Sequence, residues 1–120
     1  MASYVDGFVV VVQKKKLAAY RKLSVAASKI WKRHGALEYR ECVGDDLGIP
    51  MGIPFPKLCR LKPGETVVFA WIRYKSRAQR DRINKLVMSD PTLAALCDEK
   101  SVPFDMKRMS MGGFATIVEA

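Results

Sequence analysis

The chain has one histidine, His34, and three cysteines, Cys42, Cys59 and Cys97, with no C-x-x-C pair among them. A single imidazole excludes a cluster of histidine metal ligands within one subunit. An odd number of widely spaced cysteines excludes a disulfide frame and fits reduced thiols in a cytoplasm. Neither a metal nor a cofactor is expected. Long apolar runs are also missing. The longest, Phe8 to Val12, is far shorter than the roughly 18 residues of a membrane-spanning helix. The opening "MASYVDG" lacks a basic flank, so neither a signal peptide nor a membrane partner is expected. Acid is scarce too: 12 Asp and Glu stand against 21 Lys and Arg, for a net charge of +9. What remains is an apolar and basic chain of 120 residues, 49% hydrophobic and 28% charged, matching one soluble globular domain over residues 1–120.

"YVDGFVVVV" at 4–12 is rich in β-branched and aromatic residues and reads as a strand that is apolar on both faces. From Gln13 to His34 the period changes. Leu17, Tyr20, Ala27, Ile30 or Trp31, and His34 recur every three to four residues, and Gly35 follows where a helix takes a left-handed terminator. "LEYRECV" at 37–43 alternates as a half-polar strand at or near an edge. Residues 44–64 hold four prolines and four glycines and are expected to form a long irregular loop. The loop's Ile49, Met51, Ile53, Phe55 and Leu58 imply that it lies against something, as a lid or, more simply, a dimer arm. "ETVVFAWIRY" at 65–74 is a second strand apolar on both faces. "SRAQ" at 76–79 predicts a capping box before a helix through Ile83, Leu86 and Val87. Asp90 and Pro91 then start a short helix through Leu93, Leu96 and Cys97. "SVPFD" at 101–105 reads as a turn. The last strand spans 108–118, with Gly112 and Gly113 marking a bulge or a close backbone approach.

This order, β-α-β-β-α-β, predicts an α+β fold of the ferredoxin-like kind, with an antiparallel sheet and both long helices on one face. The other face would be left wet although two strands are apolar there. Each buried Val, Phe or Trp gains about 1.5–3 kcal/mol, a large share of a typical stability of roughly 5–15 kcal/mol. The second face is therefore expected to pack on another copy in a two-fold dimer.

"YVDGFV" at 4–9, "KKKLAAYRKL" at 14–23, "WKRHGALEYREC" at 31–42, "ETVVFAWI" at 65–72, "YKSRAQRD" at 74–81 and "PFDMKRMSMGGF" at 103–114 together resemble the YbaA-like family, domain of unknown function 1428. The resemblance covers nearly the whole chain. It implies a dimeric α+β barrel, two ferredoxin-like protomers joined through their sheets. It carries over no catalytic residue.

Two functions of different class follow from the residues. The first is a small-molecule-binding protein or enzyme with a pocket between helices and sheet. His34, Tyr39, Glu41 and Asp6 are its candidates for moving protons, since a neutral imidazole, a phenol and carboxylates suit that work. Trp71 and Arg40 are candidates for holding a ligand, with Arg108 as another anion clamp, Trp31 and Tyr74 as stacking surfaces and Cys42 as a nucleophile. Each has an ordinary alternative as helix cap, ion pair, inert thiol or core filler, and Met106, Met109 and Met111 read as filler. The second function is RNA or polyanion binding. Residues 13–33 carry eight basic groups and no acid, and 73–85 carry six against Asp81. Lys14, Lys15, Lys16, Arg21, Lys22, Arg77, Arg80 and Arg82 would form the binding face. A dimer without any ligand stands beside both.

Overall fold

The computed structural model describes residues 2–98 and 102–120. β1 (Tyr4–Gln13) passes through a 3-10 turn at Lys14–Lys16 into α1 (Leu17–Arg33). There follow β2 (Glu38–Val43), α2 (Phe55–Leu58), β3 (Glu65–Tyr74), α3 (Arg77–Met88), α4 (Pro91–Leu96), a 3-10 turn at Met106–Arg108 and β4 (Ser110–Ala115). The sheet order is β2-β3-β1-β4, every neighbouring pair antiparallel. This is the expected ferredoxin-like α+β fold of the dimeric α+β barrel type.

The valine runs make the sheet's centre, where Val9 faces Phe69, Val10 faces Val68 and Val11 faces Val67 across β1 and β3. Alternation sends Asp6, Phe8, Val10 and Val12 of β1 to the helix side, with Val68, Ala70, Ile72 and Tyr74 of β3. α1 ends as predicted, at Gly35 with φ +112°. Ser76 caps α3 by accepting from the Gln79 amide, and Gln79 in turn accepts from the Lys75 amide, one residue earlier than the capping box requires. Asp90 caps α4 by accepting from the Thr92 amide.

The core lies in two parts. Ile30, Ala36, Ile72, Tyr74, Ile83, Val87 and Leu93 form one cluster; Val10, Val12, Tyr20, Val68 and Ala70 form the other. Phe8 packs against both. The far sheet face is covered at one end, where Val11 and Val67 are buried, and open at the other, with Phe69 49% and Phe114 60% exposed around Val5, Gly7, Val9 and Trp71.

Three expectations change. The 44–64 loop is not wholly irregular, because α2 forms between its prolines, with Pro54 as N-cap and Pro56 in the first turn, where a missing N–H costs nothing. The loop lies against β3 through α2, but its apolar side chains are only partly covered in the protomer, Phe55 being 40% and Met51 82% exposed. β4 is shorter than 108–118 and pairs with β1 in continuous register from Val9 and Ser110 to Tyr4 and Ala115, so the glycines make no bulge. Gly113 instead permits a close approach, since a Cβ there would collide with the Arg80 guanidinium and the Tyr4 hydroxyl. Ser101, the first residue of the expected 101–105 turn, lies outside the described residues.

Candidate functional site

Two rows of the sheet set up the site. Asp6, Ile72 and Tyr39 lie side by side on β1, β3 and β2; Phe8, Ala70 and Glu41 form the next row on the same face. The middle of that second row is only an alanine, and α1 presents another small residue to the site, Ala27. Helix and sheet therefore do not close, and a cavity of about 340 Å³ remains between the two core clusters. Its walls include Tyr20, Trp31, Tyr39 and Phe104, and four of the chain's six methionines line it: Met88, Met106, Met109 and Met111. The methionines expected as filler near β4 belong to this lining.

Two carboxylates enter the cavity wall, from strands two spacings apart and from successive rows, roughly 12 Å between their backbones. Glu41 accepts the Tyr39 hydroxyl at Oε2 (2.7 Å) and the Tyr20 hydroxyl at Oε1. Burial, and after it the Glu41 carboxylate, hold both phenols well above the usual tyrosine range, so they stay protonated and donate. Asp6, 3% exposed, accepts from Asn84 Nδ2 at 2.9 Å and lies 3.1 Å from the Tyr74 hydroxyl. That hydroxyl is also 2.9 Å from Asn84 Oδ1, and with one proton it donates to one of them at a time. Trp31 Nε1 donates to the same Asn84 Oδ1 at 3.1 Å, which fixes the amide's orientation. Arg80 Nε stands 3.1 Å from Asp6 Oδ1 as an ion pair, without the alignment of a hydrogen bond. The guanidinium carbon lies 5.0 Å from the Tyr4 ring centre, a cation–π contact.

Of the residues singled out by sequence, Tyr39, Glu41 and Asp6 come together here. His34 does not. It ends α1 with Nε2 2.9 Å from Asp90 Oδ2, which also takes Arg33 Nη2 at 2.5 Å. The His34 contact, the Thr92 amide and Arg33 hold the Asp90 carboxyl far below the usual carboxylate range. Trp71 and Arg40 also border the cavity, as expected, but by register their side chains lie on the opposite sheet face, where both donate to Glu38, at 2.7 and 3.2 Å. Arg108 does not clamp a ligand: it pairs with Glu65 at 2.8 and 3.1 Å and donates to the carbonyls of Cys59 and Arg60, fixing the end of the loop. Cys42 is exposed and shares the far face with Phe69, its partner in register. Tyr20, Asn84 and Cys97 join the site without having been singled out by sequence. Burial pushes the Cys97 thiol up, away from the reactive thiolate.

The basic residues do not form one patch. Lys14–Lys16 follow the end of β1, with Arg21 and Lys22 early in α1, whereas Arg77 opens α3 beyond the end of β3, opposite the start of β1, and Arg82 lies midway along α3. A ten-residue strand separates these ends by roughly 33 Å. Arg80 is not free to meet a polyanion, being paired with Asp6 and Asp81. Among the described residues no group of three or more His, Cys, Asp or Glu is placed to hold a metal ion, and no helix is long and apolar enough to cross a membrane.

Solved structures share this fold. The chain aligns with a dimeric ferredoxin-like protein from an uncultured marine organism at TM-score 0.58 and 12% identity, covering all of both chains. It aligns with a Nitrosomonas europaea protein assigned as an antibiotic biosynthesis monooxygenase at TM-score 0.59 and 12% identity, over 97% of this chain and 91% of that one. At such identities the likeness concerns the fold alone. In sequence, the chain is 40% identical over 116 residues to the uncharacterised protein YbaA of Escherichia coli strain K12, 97% of each chain being covered. A family model described as "Protein of unknown function (DUF1428)" matches residues 3–106, and with that the chain belongs to this family.

Proposed function

We propose that the protein is a homodimeric small-molecule-binding protein whose ligand occupies the cavity between α1 and the sheet. The observation that carries this is a cleft of about 340 Å³, partly open to solvent and bounded by Ala27 and Ala70, with Glu41 and its two phenols in the wall. A largely apolar cavity of this size with a few convergent polar groups is the usual form of a ligand site. Glu41 would accept a proton or hydrogen bond from the ligand, and the two tyrosines would hold it in place. Native mass spectrometry of the purified protein at moderate salt tests the reading. A discrete small mass on the wild type and none on Ala70→Leu supports it; a bare wild type that also fails to take up the neutral fluorophore N-phenyl-1-naphthylamine overturns it.

The second copy is proposed to cover the open sheet face around Phe69 and Phe114, and a neighbour of the same fold is described as dimeric. The three free cysteines fit a reducing cytoplasm. RNA or polyanion binding has the net charge of +9 in its favour. The spread of that charge over both ends of the protomer, with Arg80 engaged, supports it less than the cavity supports a small ligand.

A further inference from the structure

We infer that the ligand of this cavity is an organic cation, an amine carried on an apolar or aromatic body. The inference rests on the cavity reading and adds the charge of what fills it. Glu41 stands apart from the other carboxylates around the sheet. Asp6 has Arg80, Glu38 has Arg40, Glu65 has Arg108 and Asp90 has Arg33. Glu41 has two phenols, which donate hydrogen bonds but bring no positive charge. In a chain with an excess of nine basic residues, no arginine or lysine among the described residues pairs with it.

Glu41 is part-buried, between the cavity and an open groove beside Arg21 and Val25. A carboxylate partly withdrawn from water without an ion-pair partner is disfavoured, and a bound cation offsets that. Glu41 has room for one: its two oxygens offer about four acceptor sites, and the tyrosines use two. The walls suit the same charge. Tyr20 meets Phe104 edge to face at 5.9 Å and 88°, and Trp31 meets Tyr39 at 6.0 Å and 47°, so aromatic rings stand on both sides of the carboxylate. Such rings attract ammonium groups through their negative faces. The methionines then offer adaptable apolar surface for the rest of the molecule. Arg40, which borders the cavity, is engaged by Glu38, and Arg80 by the cavity's Asp6, so neither is a free counter-charge for an anion.

The test is isothermal titration at neutral pH with three probes on one frame: phenethylamine, 2-phenylethanol and 3-phenylpropanoate. The expected order is amine first, at least tenfold tighter than the alcohol, with no measurable binding of the acid. Glu41→Gln is expected to weaken the amine at least tenfold and the alcohol by much less, so that the preference between them disappears. An alcohol or acid that binds as tightly as the amine overturns the inference, as does a folded Glu41→Gln that keeps the preference. The wild-type ranking decides by itself, so a poorly folding variant does not leave the question open. Uptake of N-phenyl-1-naphthylamine by the wild type and its loss in Ala70→Leu separate the two readings. Dye uptake without amine preference removes the cation and keeps the cavity, whereas failure of dye and amine alike removes both.

Discussion

Gly113 and Asp90 each show one atom's worth of consequence. At Gly113 there is no room for a Cβ beneath Arg80 and Tyr4. Gly113→Ala is expected to dislodge Arg80 from the buried Asp6 carboxylate and to cost roughly 2–3 kcal/mol, read as a lower urea midpoint at unchanged slope. Asp90 is held below the usual carboxylate range in the folded chain, so its charge stabilises the fold above that range, and the contribution is lost as pH falls through the lowered folded value. Asn is as good an N-cap as Asp, so Asp90→Asn isolates the charge. Its urea midpoint is expected to fall less between pH 5 and pH 3 than the wild type's. At this scale the sequence is half legible. Tyr39 and Glu41, two apart on a strand, must share a face, and they do. Trp71 and Arg40 border the same cavity from the other side of the pleat: alternation alone sets Arg40 opposite Tyr39 and Glu41, whereas for Trp71, on another strand, it does not say which face meets the helices.

Among the elements, the ones with local chemical signals are readable from the order of residues alone. Ser76 before α3 and Asp90 with Pro91 before α4 act through neighbours only two or three residues away, which a linear text records. Ser76→Ala is expected to cost about 1 kcal/mol, measured by thermal or urea unfolding, with little effect on ligand uptake. α2 escapes notice because four residues span barely one helical turn and show no period. The cavity escapes for a different reason. It depends on Ala27 and Ala70 falling beside the same space, and that meeting is set by the packing of α1 on the sheet rather than by either segment.

For the whole molecule, the sheet face that carries Phe69, Trp71 and Phe114 calls for a partner. Phe69→Glu with Phe114→Glu is expected to leave a monomer in sedimentation velocity at micromolar concentration, where the wild type sediments as a dimer; a monomeric wild type would remove the case for pairing through the sheets. Neutralising Lys14, Lys15 and Lys16 together is expected to change RNA retention only at low salt, as exposed charges do. The β-α-β-β-α-β order and the doubly apolar strands foretell this architecture, because both follow from topology and residue type alone. The two alanines of the cavity have a last consequence. They limit how large a guest fits, while Glu41 on β2 is argued to govern which charge it bears, and the two features sit on separate side chains. On the proposed reading, volume and charge are therefore open to change one substitution at a time, without rebuilding the layers around the cleft.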